Sequence, residues 1–295
     1  MASPARRLDT NAPGEFYVDS TCIDCDTCRW MAPSTFARRG EMSAVHEQPK
    51  PGDEVRAAMQ ALVACPTASI GTTTNRDARE AVASFPELIA DSVYLCGFHS
   101  PDSFGAASYL IVHPEGNVLV DSPRFTAPLV KRFEELGGVR TMFLTHRDDV
   151  ADHAKFRAKF GCGRVLHEDD VTADTGDVEV KLSGADPVTL ATDLVVVPTP
   201  GHTPGSACLL WRDRFLFTGD HLAWSHRLGE LYAFRDACWM DWNVQVASMR
   251  RLAAYDFEWV LPGHGRRAHF PRDEKHRRMA RCIDWMVANP AAVEW

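Results

Sequence analysis

At 295 residues the chain has room for two domains of ordinary size. With 40 acidic against 32 basic residues the net charge is −8, which argues against a nucleic-acid partner held through phosphates. No run approaches the roughly 20 apolar residues of a membrane span, and no apolar stretch follows the N-terminal arginines as an export signal requires. With an odd count of nine cysteines, the expected setting is a reducing cytoplasm, with no membrane partner.

Residues 1–14 are polar and Pro-containing and read as a disordered tail. Residues 15–71 are cysteine-rich and centred on one helix, opened by Pro51-Gly52-Asp53 and carrying Val55, Met59, Leu62 and Val63 at helical spacing. Residues 72–91 are polar and charged, and Thr72-Thr73-Thr74-Asn75 marks the hinge of a linker. From 92 to 295 strands and helices alternate, and this part is expected to fold alone. Strand-like runs fall at 93–97, 108–112, 117–121, 141–145, 194–198, 207–211, 215–218 and 259–261. Helices are expected at 127–136, 152–160, 244–254 and 271–287, and the basic run Lys275, Arg277, Arg278, Arg281 reads as the solvated face of the last one. Histidine-rich clusters fall at strand ends, where rigid strands position loop chemistry.

Cys22-Ile23-Asp24-Cys25-Asp26-Thr27-Cys28, followed at a distance by Cys65-Pro66, is C-x2-C-x2-C and then C-P. Three thiolates each separated by two residues can wrap a cubane and a distant fourth closes it, so Cys22, Cys25, Cys28 and Cys65 are the expected ligands of one 4Fe-4S cluster. A structural zinc site normally draws on paired C-x2-C knuckles and fits this spacing poorly. The layout resembles single-cluster ferredoxins over 15–71, which implies a small α+β ferredoxin-like domain. Cys96, Cys162, Cys208, Cys238 and Cys282 are isolated and read as core packing.

Four later segments belong together: Thr145-His146-Arg147-Asp148-Asp149-Val150-Ala151-Asp152-His153, Pro200-Gly201-His202, Gly219-Asp220-His221 and Pro262-Gly263-His264-Gly265. Imidazoles and carboxylates at successive strand ends suit a dinuclear site, and the flanking glycines and prolines allow turns that aim them inward. In this order they resemble the metallo-β-lactamase superfamily, an α/β fold built as an αββα sandwich. The resemblance implies two divalent metal ions, zinc or iron. His146, Asp148 and His202 would hold one, Asp152, His153 and His264 the other, with Asp220 bridging and Asp121 behind the first group. The family's H-x-H-x-D-H is altered here: an aspartate replaces the second histidine and two residues are inserted, so Asp148 and Asp149 both stand as candidates. Asp152 and His221 are the candidate catalytic groups, His221 as a donor beside the bridge, a substrate contact or simply a loop histidine. His99, Trp224, Trp239 and Trp242 are candidates for a pocket mouth.

The expected function is metallo-hydrolysis of an ester, thioester, lactone or similar bond in a small-molecule substrate, with metal-bound hydroxide as nucleophile. The alternative is a diiron oxidoreductase fed by the fused cluster, since a carboxylate in place of an imidazole hardens the site. Electron transfer of that kind would need a separate partner, a ferredoxin reductase or other electron donor. A non-enzymatic, cluster-based sensor is the third reading.

Overall fold

The computed structural model describes residues 2–290. The N-terminal part contains β1 (Phe16–Val18), α1 (Thr27–Met31), β2 (Phe36–Arg39), β3 (Met42–Val45), α2 (Asp53–Ala64) and β4 (Ile70–Thr72). β1 pairs antiparallel with β4, β2 forms a hairpin with β3, and α1 lies against α2. Asp53 and Glu54 sit in the first turn of α2, where they complement the helix dipole. Ala58, Ala61 and Ala64 are buried, and their small side chains let the neighbouring backbone approach. The first residues are not the disordered tail expected. Asn11 is buried with every hydrogen-bonding position of its amide filled. It accepts from Val18 N and Val45 N and donates to Leu8 O and Val18 O.

The polar stretch after Thr72 is shorter as a connector than its composition suggests. α3 (Arg79–Ala83) packs on α2, and β5 (Glu87–Ala90) is already the edge strand of the next sheet. An edge strand exposes one side and tolerates polar residues, so its apolar pattern is weak. There follow β6 (Val93–Leu95), β7 (Tyr109–Ile111), β8 (Val118–Val120), α4 (Ala127–Glu135), β9 (Thr141–Phe143), α5 (His153–Phe160), β10 (Gly163–His167) and β11 (Val180–Leu182). They complete a seven-stranded sheet ordered β11-β10-β9-β8-β7-β6-β5.

The second half comprises β12 (Val188–Ala191), β13 (Leu194–Pro198), β14 (Ala207–Trp211), β15 (Phe215–Gly219), β16 (Ala223–Ser225), β17 (Glu230–Tyr232), α6 (Trp242–Leu252), β18 (Trp259–Pro262), β19 (Ala268–His269) and α7 (Arg272–Ala288). Its main sheet runs β12-β13-β14-β15-β18-β19, with β16 and β17 as a separate hairpin. Strand β14 shows how the layers form. Leu209 and Trp211 enter the core shared with the first sheet, while Cys208 and Leu210 join the cluster under α6 and α7. Alternate residues of a strand point to opposite faces, so a continuously apolar strand is one covered on both sides. The result is the αββα sandwich expected.

The small module is not separable from it. One apolar core runs from Phe16, Val45 and Ala61 through Phe85 and Phe98 to Tyr109 and Leu119. His99 N donates to Ala64 O, and the Arg124 guanidinium lies at hydrogen-bonding distance from Val63 O and Pro66 O. The basic run of α7 also differs from expectation. Lys275 is fully buried with Nζ on Ala253 O at 2.8 Å, and Arg278 pairs with Glu230 and Glu274, so only part of the run faces solvent.

Candidate functional site

Cys28 lies in α1, Cys65 caps α2, and Cys22 and Cys25 lie in the loop before α1. All four line one small cavity closed by Val18, Ile23, Pro66 and Ile70. None is in a disulfide. Burial pushes the Cys25 thiol up to about 11 and Cys28 higher still. Free thiolates are therefore disfavoured here, and iron bonded to sulfur would supply the compensating charge. Ser69 N points at Cys65 Sγ at 3.3 Å, a donor of the kind that tunes a cluster's potential. Asp24 and Asp26 flank Cys25 at φ 59° and 65° and are both paired with Arg29, which fixes the loop. The residues fit a 4Fe-4S cluster.

The second site lies where β9, β13, β15 and β18 end. His146 Nε2 is 3.9 Å from Asp148 Oδ2 and 3.8 Å from Asp220 Oδ2. His202 Nε2 is 3.5 Å and 3.8 Å from the same two oxygens. These gaps are long for good hydrogen bonds but close to the roughly 3.4 Å between donors on a tetrahedral ion with bonds near 2.1 Å. His146 Nε2, both His202 ring nitrogens and both Asp149 oxygens are buried without a hydrogen-bond partner among the described residues. Buried polar atoms are rarely left so, and a cation is what this donor set would satisfy. Two groupings share His146: one with Asp148 and His202, the other with Asp149 and Asp220. His264 Nδ1 closes the second side at 2.8 Å and 2.9 Å from the Asp220 oxygens.

The electrostatics follow from burial and proximity. Burial opposes the Asp220 charge, but His264, His146 and His202 outweigh it and hold its pKa below the carboxylate range. Burial and the Asp220 charge push Asp149 well upward. Burial lowers His146 to about 4, so its ring is neutral, the form that binds metal. Asp121 stands behind it: its carboxylate accepts from Thr145 N and Thr145 Oγ1, and that hydroxyl is 3.0 Å from His146 Nδ1. A hydrogen bond on the far ring nitrogen fixes a ligand's orientation.

The inserted residues decide the register. Asp149, rather than Asp152, points into the site, because Gly263 leaves space there. A Cβ on Gly263 would lie 2.6 Å from Asp149 Oδ2. Asp152 is turned away: Oδ2 accepts from Phe125 N at 2.7 Å and Oδ1 pairs with Lys155. His153 borders the cavity, but its Nδ1 meets Arg164 Nη1 at 3.0 Å. Neither joins the donor group. His221 lies beneath the site, fully buried, with both ring nitrogens unpartnered among the described residues and its pKa lowered by burial to about 3. It borders no part of the cavity. Sequence reasoning missed Asp170, which ties two ligand loops by accepting from Arg147 N, Thr203 Oγ1 and Gly205 N. No local motif marks it.

A cavity of about 1070 Å³ opens above these donors. Asp148, Asp149, Asp220 and His264 lie at its floor, Trp239 and Phe104 are exposed at its edge, and Asp24, Cys25 and Asp26 of the cluster loop form part of its wall. Trp239 is the one pocket-mouth tryptophan found there: Trp242 is buried in α6, Trp224 lies on β16, and His99 is buried between the two modules. Among the other cysteines, Cys96, Cys162, Cys208 and Cys282 are buried, while Cys238 is half-buried beside Gly201 O.

Residues 87–281 match the metallo-beta-lactamase superfamily. The chain belongs to that superfamily. Residues 18–72 match the 4Fe-4S single cluster domain of Ferredoxin I, so this superfamily member carries an N-terminal ferredoxin domain. A hydroxyacylglutathione hydrolase of Anaeromyxobacter dehalogenans (strain 2CP-C) is 40% identical over 93 residues, 30% of this chain and 35% of that protein. The match thus spans about a third of the relative's length. Among solved structures, VMB-1 shares the fold at TM-score 0.53 and 15% identity, over 70% of this chain and 97% of that one. A metallo-beta-lactamase from Pontibacter korlensis does so at 0.51 and 18%, over 68% and 97%. At these identities the likeness is one of fold. Among the described residues, no helix is long and apolar enough to cross a membrane.

Proposed function

We propose that the protein is a dinuclear metal-dependent hydrolase acting on an ester, thioester, lactone or similar bond of a small molecule. The observation that supports this reading is the convergence of His146, Asp148, Asp149, His202, Asp220 and His264, several with unpartnered donor atoms, beneath a substrate-sized cavity. The partial likeness to a hydroxyacylglutathione hydrolase agrees with it. Two ions bound there would lower the pKa of a water and polarise the scissile carbonyl. His146 and His202 with Asp148 would hold one ion and Asp149 with His264 the other, with Asp220 within reach of both. Asp148, with its side chain 45% exposed, is the solvent-open donor of the set on the cavity floor. His202 and His146 hold its pKa below the ordinary range, so it is ionised at neutral pH. Phe104 and Trp239 offer apolar contact to the rest of the substrate.

The test is hydrolysis of an ester, thioester and lactone panel by the protein loaded with zinc or iron and by the chelated protein. Metal-dependent turnover that His202→Ala abolishes is the expected result. Equal rates with and without metal across the panel would overturn the assignment.

A further inference from the structure

The cluster loop and the metal floor meet across one short stretch of backbone. Gly105 has φ +84°, and a Cβ there would lie 2.9 Å from both Cys25 Cβ and Cys25 Sγ. Its backbone therefore packs directly against a cluster ligand, with no room for a side chain between them. Two buried donors hold the Gly105 carbonyl: Thr27 Oγ1 at 3.2 Å and His99 Nδ1 at 2.8 Å. Thr27 Oγ1 is also 3.4 Å from Cys25 Sγ. The preceding carbonyl, Phe104 O, is 3.4 Å from His264 Nε2, and the opposite nitrogen of that ring faces Asp220. Standard backbone geometry then bounds Cys25 Sγ and His264 Nε2 at about 11 Å apart. A cluster with a purely structural role has no need of such a bridge.

We propose that the Cys25–Gly105–Phe104–His264 bridge carries single electrons from the 4Fe-4S cluster to a redox-active ion held at His264, and so sets the oxidation state of the metal site. The reduced cluster loses one electron and becomes oxidised; a ferric ion at the site gains it and becomes ferrous; no atom or proton moves. A one-electron carrier of the ferredoxin or flavoprotein class restores the reduced cluster. His99 and Gly105 are positioning residues in this scheme, since they hold the loop without touching the ion. The inference goes beyond hydrolysis and shares only its metal site.

The test uses the full-length, cluster-replete protein with ferric iron or zinc in the metal site. The cluster is reduced by a flash of photoexcited deazaflavin, and its EPR signal and visible absorbance are followed. In the ferric sample the reduced-cluster signal should decay as ferrous iron appears one for one; in the zinc sample it should persist. Gly105→Ala, whose methyl drives the loop off Cys25, should slow the decay severalfold at unchanged cluster content. Thr27→Val, which removes the hydroxyl that meets Gly105 O, Cys25 Sγ and His99 Nδ1, should slow it as well and decides the matter if Gly105→Ala loses its cluster. Equal persistence in ferric and zinc samples overturns the proposal, as do cluster-replete variants that transfer at the wild-type rate. Ester hydrolysis by the zinc-loaded sample is read separately, so failure of the electron path and failure of the hydrolytic assignment give different results.

Discussion

Asp149→Asn should act in opposite directions on the metal-free and the metal-loaded protein. The Asp149 carboxylate is fully buried, neither oxygen has a partner among the described residues, and Asp220 lies beside it. Leaving a buried polar group unsatisfied costs about 1–3 kcal/mol, and more when it is charged. A neutral amide relieves the repulsion with Asp220, so the metal-free variant should be as stable as the wild type or up to about 1–3 kcal/mol more so. With metal at a hundred times Kd, binding stabilises the wild type by about 2.7 kcal/mol per site. For a chain of this size each kcal/mol moves Tm by about 2–4 °C, so each site filled raises Tm by about 5–10 °C, and the rise should shrink in the variant. Calorimetry with and without chelator, together with metal content per chain, measures both. Asp152→Asn is the contrast. It weakens the bond from Phe125 N and the pair with Lys155, costing about 1 kcal/mol in both states with no loss of metal. If Asp152→Asn strips the metal while Asp149→Asn keeps full occupancy, the assignment of the inward carboxylate is wrong.

Cys65→Ser should bleach the brown absorbance of anaerobically purified protein, whereas Cys208→Ser, in the β14 core away from the cluster cavity, should leave it; equal loss from both would sink the four-cysteine assignment. Asp148→His replaces a charged oxygen donor by a neutral nitrogen and should raise zinc over iron occupancy when both are offered equally, as read by metal analysis; an unchanged ratio would place Asp148 outside the metal's reach. A chain lacking residues 1–72 should aggregate or melt well below the full protein, because it uncovers Phe85 and Phe98 and strips Ala64 O from His99 N; a soluble, equally stable truncation would refute the shared core.

Two kinds of information were legible in the linear chain. The C-x2-C-x2-C run is local and the distant Cys65 is marked by its proline, so spacing alone reveals the ferredoxin domain. The strand-end segments around His146, His202, Asp220 and His264 are likewise local: an apolar run and then a candidate ligand, with a glycine directly before His202, Asp220 and His264. That is enough for the sandwich, because strands such as β14 that are apolar on both faces must be covered on both. What the linear chain left open was decided by contacts between distant segments. Asp149 rather than Asp152 turns inward because Gly263, over a hundred residues away, lacks the Cβ that would displace it. Residues 3–14 are ordered because Asn11 finds donors and acceptors on β1 and β3. The four-cysteine pocket lies beside the candidate metal site because the small module shares its core with the sandwich, bringing Gly105 against Cys25 and Phe104 against His264. Each of these is a packing outcome set by which surfaces exclude water together, and no periodicity or short motif encodes it.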